Sequence, residues 1–392
     1  MKRRFDHPET AVLHYGRDPE KYAGVVNPPI YRGSTILFPN IEAMHAAERN
    51  WHAEPYYGRH GTPPTFAFEQ AIADLEGGYR AVAVSSGVAA ITSALSAFVA
   101  SGDHVLMVDT TYGPTRKFCE SLLRRFGVET TYYPPNIGAG IADLMRPNTR
   151  VVYLESPGSL TFEMQDVPAI AAAAKAKGAA VILDNTWGTP LFFKPFSCNV
   201  DVSIHAATKY IVGHSDALLG VIVANAATFM AVKQAAALYG HHAAPDDIYL
   251  AQRGLRTMAI RLERHAANAL ALCDWLLTQP EVSRVLNPAH PSDPGHALWQ
   301  RDFTGACGLF GFVLHSNISD RQVTALVEAM TLFGLGFSWG GYESLVLPVN
   351  LSSLRSATRW QEGPVVRLHA GLEHADDLRD DLARGFAALR SC

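Results

Sequence analysis

The sequence predicts an α/β protein, with a mostly parallel sheet covered by helices on both faces and a smaller α+β unit after it. Three observations carry this expectation. Short apolar runs (AVAV at 81–84, HVLMV at 104–108, RVVYL at 150–154, AVILD at 180–184) alternate with helical patterns. The runs are apolar throughout instead of at every second residue, as in strands buried on both faces. The last three exit into polar residues, Asp109-Thr110-Thr111-Tyr112, Glu155-Ser156-Pro157 and, after Asp184, Asn185-Thr186. In open parallel sheets, ligand-handling groups gather at these carboxyl ends.

Taken in order, residues 1–62 carry scattered Pro and Gly and read as an extended arm with little core of its own. Within it, Tyr56-Tyr57-Gly58-Arg59-His60-Gly61 is either a turn with an aromatic anchor or part of a binding site. Phe66 to Leu75 has helical spacing and stops at Gly77-Gly78. Ser85-Ser86-Gly87-Val88 then opens a helical run through Ala100. Strand, Ser/Gly turn and helix start make an anion site from free N–H groups and the helix dipole, or an ordinary N-cap by Ser85 or Ser86. Ile170 to Lys177 is a helix closed by Gly178. Asp184 ends an apolar strand, where a carboxylate is costly unless a cation or donor meets it.

The stretch Asp201 to Ser215, DVSIHAATKYIVGHS, begins as a strand to Ile204 and delivers Lys209 at its exit among small residues. Partial burial there lowers the pKa of an amine and frees its lone pair for covalent work. VIVAN at 221–225 gives one more strand, and Ile248 to Arg264 reads as a connecting helix. Beyond it lie helices and the strand-like GLFGFVL and VVRLHAG, so the expected units are 1–62, 63–255 and 256–392. The loop Phe337-Ser338-Trp339-Gly340-Gly341-Tyr342-Glu343-Ser344 concentrates glycines and aromatics. Arg367 stands inside an apolar strand, where its planar fork serves either a ligand carboxylate or an internal salt bridge.

The pattern around Lys209, with an acidic residue, small residues, Thr-Lys, an aromatic and Gly-His-Ser, resembles the lysine signature of the pyridoxal-phosphate-dependent Cys/Met-metabolism (transsulfuration) family. One departure is Ala206, where many relatives carry serine. The resemblance covers nearly the whole chain, since the Tyr57-Gly58-Arg59 arm, the Ser86-Gly87-Val88 turn, Tyr112, Asp184, the SWGGYES loop and RLHAGLE follow in family order. It implies the aspartate-aminotransferase-like fold (fold type I) with a seven-stranded, mostly parallel sheet and a smaller C-terminal α+β domain. It also implies roles. Lys209 carries pyridoxal 5'-phosphate and acts as base, Tyr112 stacks on its ring and Asp184 holds the ring nitrogen. Ser86, Gly87, Val88 and Thr208 receive the phosphate, joined by Tyr57 and Arg59 from a neighbouring subunit. Ser338, Trp339 and Arg367 bind the amino-acid substrate.

Within the family, FSWGGYESL and RLHAGLE resemble the β-lyase branch, which splits L-cystathionine into homocysteine, pyruvate and ammonia. γ-Lyases and γ-synthases use the same constellation and are the alternative. A PLP-fold protein acting mainly as a regulatory binding partner is a distant one. The family implies a homo-oligomer, a dimer at least and a tetramer in full.

Composition excludes other classes. The chain has 392 residues, 48% hydrophobic and 18% charged, with a formal net charge of -4, so no broad field attracts nucleic acid or an anionic membrane. The basic clusters Lys2-Arg3-Arg4 and Arg124-Arg125 are too short to change this. Five scattered cysteines without CxxC spacing suggest neither a disulfide framework nor a zinc ribbon, and a reducing cytoplasm is expected. The N-terminus lacks the apolar core of a signal peptide, and no spanning apolar run occurs. Despite 16 histidines there is no HExxH, so no metal is expected. GAGIAD at 138–143 lacks the third glycine of a dinucleotide fingerprint, and GHSDA at 213–217 is not G-x-S-x-G.

Overall fold

The computed structural model describes residues 5–351 and 354–392 of the chain. The Lys2-Arg3-Arg4 cluster lies outside the described residues. Seven strands form the larger sheet: β1 (Arg80–Val84), β2 (His104–Val108), β3 (Glu129–Tyr133), β4 (Thr149–Glu155), β5 (Ala180–Asp184), β6 (Val202–His205) and β7 (Gly220–Ala224). Their order is β1-β7-β6-β5-β4-β2-β3. Only β7 runs against its neighbours, so the other six strands point the same way and present their carboxyl ends along one edge.

Helices cover both faces because the strands are apolar on both. Val152, Leu154, Val181 and Leu183 point into one core, shared with the helices Pro63–Glu76 and Val167–Ala176. Val105, Met107, Val151, Ile182 and Ile204 point into a second, closed by the helices Gly87–Ser96 and Phe229–Leu238. At about 1.5–3 kcal/mol per fully buried aliphatic side chain, these two layers outweigh any local preference of the strands.

The helix expected to run through Ala100 stops at Ser96. The Asp103 carboxylate takes the Ala100 N–H at 2.8 Å and turns the chain toward β2 instead. Strand β3, ETTYY, is an edge strand whose polar, partly exposed residues hide it from an apolar pattern.

The connecting helix is longer than its periodicity suggests, Pro245–Leu276, and passes unbroken through position 255/256. Beyond it β8 (Val282–Leu286), β9 (Leu309–Leu314), β10 (Gly334–Leu335), β11 (Leu345–Val349) and β12 (Val365–His369) form a second sheet. Its order is β10-β11-β12-β9-β8, antiparallel except for β10 beside β11. The amphipathic helices Asp320–Glu328 and Ala375–Ser391 close a third core against it. The N-terminal arm is anchored by Arg256 of the long helix, which donates to the Val12 and Tyr15 carbonyls at 2.6 and 2.8 Å, and by the Arg32–Asp246 ion pair.

Candidate active site

Lys209 leaves β6 on a tight turn. Its N–H donates to Ala206 O at 3.0 Å and its carbonyl accepts Gly213 N–H at 2.7 Å. The turn is tied sideways, because the Thr208 hydroxyl accepts Leu219 N–H at 2.9 Å and donates to Leu219 O at 3.2 Å. Beneath it, the buried Glu76 carboxylate receives His205, Ser203 and Asn185 through one oxygen, at 2.8, 2.7 and 2.7 Å. That network locks the exits of β5 and β6 to the end of one helix. Lys209 Nζ donates to Ser338 Oγ at 2.5 Å and lies 5.3 Å from the Trp339 ring centroid. Desolvation lowers its pKa to about 8, with the Arg367 charge pushing the same way and Asp184 opposing.

Asp184 ends β5, directly paired with Glu155 at the end of β4. Both of its hydrogen bonds, from the N–H and hydroxyl of Thr186 at 3.0 and 2.5 Å, fall on Oδ1. Oδ2 is left for another donor. Thr186 Oγ1 also accepts the Ala206 N–H at 3.0 Å, which fastens Asp184 to the lysine turn. Burial raises both carboxyl pKa values, that of Glu155 well above its ordinary range. Two adjacent buried carboxylates do not both ionise. The rise is the smaller at Asp184, where Thr186, His205 and Lys209 oppose the effect of burial.

Glu155 accepts the Tyr112 N–H at 2.7 Å and the Thr111 hydroxyl at 3.3 Å. Tyr112 is thereby set at the mouth of the crevice, 42% exposed. Burial raises its phenol pKa, with Glu155 and Asp184 adding to the effect and Arg367 opposing it.

Ser86 caps the helix Gly87–Ser96, its hydroxyl accepting Ala89 N–H at 3.1 Å. Capping and an anion site coexist here, because the helix geometry leaves the N–H groups of Gly87 and Val88 without an intrahelical acceptor. A Cβ at Gly87 would stand 2.7 Å from the Ala206 Cβ, so two small residues keep this cradle open.

From the second sheet, Arg367 of β12 is buried and donates through Nη2 to Ser338 O at 2.9 Å and Gly336 O at 3.3 Å. Its Nε is buried without a partner, and no carboxylate among the described residues pairs with it. Burial depresses its pKa to about 10. The internal salt bridge left open by the sequence is absent among the described residues, which leaves a guanidinium fitted to a ligand carboxylate.

Tyr57 and Arg59 are not brought to this crevice within one chain. Arg59 donates to Ala237 O at 2.8 Å and lies 3.3 Å from His60, and both Tyr57 and Arg59 are exposed. Glu155 and Thr186, read from the sequence only as strand exits, and Glu76, which the sequence does not single out, prove to be parts of the site. Glu155 carries the same signal as Asp184, a carboxylate closing an apolar strand.

The residues fit pyridoxal phosphate on four counts: a loosened amine, a buried carboxylate with one oxygen to spare, an N-terminal helix cradle and an orphaned guanidinium nitrogen. Among the described residues no group of three or more His, Cys, Asp or Glu could hold a metal ion, and no helix is long and apolar enough to cross a membrane.

Known proteins resemble this chain over nearly its whole length. A relative from Rhizobium johnstonii is 50% identical over 382 residues, 97% of this chain and 96% of its own. The cystathionine beta-lyase MetC of Escherichia coli is 42% identical over 388 residues, 97% of this chain and 98% of its own. The solved structure of metB from Corynebacterium glutamicum superposes with a TM-score of 0.89 at 28% identity, over 98% of both chains. The family model for Cys/Met metabolism PLP-dependent enzymes matches residues 9–387, and this chain belongs to that family.

Proposed function

We propose that the chain is a carbon–sulfur β-lyase that cleaves L-cystathionine, with water, to homocysteine, pyruvate and ammonia, with other cysteine S-conjugates as further substrates. The observation that carries this reading is the half-buried Lys209 amine, with a pKa of about 8 and one hydrogen bond donated to the Ser338 hydroxyl. Such an amine is free enough at neutral pH to take a proton from carbon.

The other residues divide the remaining work. Arg367, with its unpartnered Nε, receives the substrate α-carboxylate, flanked by Ser338 and Trp339. Asp184 Oδ2 keeps a proton on the ring nitrogen, Tyr112 packs on the ring face, and Ser86, Gly87, Val88 and Thr208 face the phosphate. When bound, pyridoxal phosphate supplies a cationic ring that draws off the charge left at Cα. Lys209 Nζ takes the Cα proton and returns a proton to the departing sulfur. Tyr57 and Arg59 complete the phosphate site of a neighbouring subunit. On this reading the protein is a cytoplasmic homo-oligomer, active from the dimer upward and tetrameric in full.

The test is to supply the purified, PLP-loaded protein with L-cystathionine and identify both products. Pyruvate with homocysteine is expected. Cysteine with 2-oxobutyrate would place the chain among the γ-lyases.

A further inference from the structure

His369 is fully buried at the end of β12, between Leu345 of β11 and Leu309 of β9. Its ring touches both sides of the candidate site from behind. Nε2 lies 3.1 Å from the carbonyl oxygen of Gly341. Nδ1 lies 3.5 Å from the hydroxyl of Tyr210, the residue that follows Lys209. A carbonyl oxygen only accepts, so Nε2 carries the proton and Nδ1 faces the phenol as acceptor. The Tyr210 hydroxyl in turn accepts Gly308 N–H at 2.9 Å, which leaves its own proton for Nδ1. One tautomer satisfies all of these contacts.

Gly341 belongs to the loop that presents Ser338 and Trp339, and that loop presses on the lysine backbone. A Cβ at Gly340 would stand 3.0 Å from Lys209 Cα and Cβ, and the Trp339 and Tyr210 ring centroids are 5.5 Å apart. Ser338 sits at φ 77°, a conformation that a non-glycine residue holds only under outside constraint. On the far side the Ser215 hydroxyl, from the lysine's own loop, donates to Glu343 at 2.5 Å. Arg367 of the same strand holds the Gly336 and Ser338 carbonyls, and the Gly341 carbonyl is the further point, on the other side of Trp339, where the loop is held from within the sheet.

We propose that His369 is a positioning residue whose Nε2–H bond to Gly341 holds the 338–341 loop on Lys209 and so keeps the Ser338 hydroxyl on the Nζ amine. The inference deepens the lyase reading and rests on it only for the kinetic consequence. The charged and titratable groups around the pair are Arg367, His265 and Tyr210 beside His369, with Cys307 against Tyr210, and Arg367 and Asp184 beside Lys209.

The experiment compares His369→Gln, which keeps an N–H near the Nε2 position, with His369→Leu, which removes it. The first readout is the pH midpoint for labelling of the Lys209 amine in cofactor-free protein, located by peptide mapping. The second is kcat and KM on L-cystathionine after loading. With His369→Leu the labelling midpoint should move by several tenths of a pH unit or more. Its kcat should fall about 10- to 100-fold, the effect of misplacing a group by about 1 Å, with a smaller change in KM. His369→Gln should recover most of both. An unchanged midpoint in a folded His369→Leu protein, or equal losses in the two variants, overturns the proposal. Nitrogen NMR of the wild-type protein with labelled histidine is independent of variant folding, and an Nδ1–H tautomer for His369 also overturns it. If the protein does not turn over L-cystathionine, the labelling and NMR readouts still decide the matter.

Discussion

The Asp109 carboxylate accepts the backbone N–H of Thr358 at 2.8 Å, joining residues 249 positions apart in the chain. It also takes the N–H of Ser356 and Ala357 at 2.9 and 3.1 Å, the Ser356 and Thr358 hydroxyls at 3.1 and 2.9 Å, and Arg116 at 2.7 Å. Asp109 follows the last residue of β2 and stands three positions before Tyr112. The clasp therefore ties the polypeptide between β11 and β12 to the edge where the crevice opens. Arg355 pairs with Glu163 and Thr161 beside it.

Replacing this carboxylate by an amide, Asp109→Asn, turns one accepting oxygen into a donor facing donors and leaves Arg116 buried without its charge partner. The expected loss is about 3–5 kcal/mol of unfolding free energy, read from urea denaturation of wild type and variant. The pH dependence has a definite sign. Burial alone would raise the Asp109 pKa, but the hydrogen bonds from Ser356, Thr358 and Arg116 outweigh it and hold the value below that of a free aspartate. The clasp thus contributes fully above the unfolded pKa of about 3.9, and this contribution is lost as pH falls through the lower folded value. The variant should lack that component of acid destabilisation. An equal acid response in the two proteins would show that the clasp is not the titrating element.

Lys209 should be the most reactive lysine of the cofactor-free protein near pH 8. An ordinary lysine is about 99% or more protonated there, from its pKa of about 10.4, whereas an amine with a pKa of about 8 is half free. Labelling at pH 8 followed by peptide mapping should find Lys209 modified first, and Lys209→Ala should abolish lyase turnover. If the biological role survives Lys209→Ala, the chain works as a binding protein and not as an enzyme.

Gly340 permits the approach of its loop to the lysine. Its φ is +86°, and a Cβ there would press on Lys209 Cα, Cβ and carbonyl carbon at 3.0 Å. Gly24 is a natural control, with φ +83° and nothing within 4 Å of an added Cβ. Both alanine variants bear the backbone strain of about 1–3 kcal/mol. Only Gly340→Ala should also displace the lysine, so kcat should drop by about 10-fold or more in that variant and stay near wild type in Gly24→Ala. Equal kinetic effects in the two would assign the whole change to backbone strain.

Much of this site was legible in the sequence because its elements are local. An apolar strand that ends in a lysine or carboxylate announces a strand exit, and the parallel β2, β4, β5 and β6 bring Tyr112, Glu155, Asp184 and Lys209 to one edge. What escaped was long-range. Nothing near Asp109 in sequence indicates Ser356 or Thr358. Glu76 looks like a helix-end residue until His205, Ser203 and Asn185 fold onto it. Strand β3 hid because an edge strand need not be apolar on both faces. The break of the Gly87–Ser96 helix depended on a side-chain bond from Asp103, which propensity does not encode.

Tyr57 and Arg59 give the remaining prediction. Among the described residues the Arg59 guanidinium binds the Ala237 carbonyl and the exposed Tyr57 ring meets His60 edge-on, so neither side chain is committed to the Lys209 crevice of its own subunit. If the arm serves the neighbour, Arg59→Ala and Lys209→Ala remove groups from opposite subunits of any one site. Differently tagged variants, co-expressed and purified through both tags, give mixed dimers in which one site lacks both groups and the other lacks neither. Such dimers should recover about half of the wild-type turnover while each variant alone stays nearly inactive, because two-fold symmetry distributes the two changes in this way. Mixed dimers as inactive as their parents would mean that Arg59 serves its own subunit, and an active Arg59→Ala parent would mean that it does not serve the site at all.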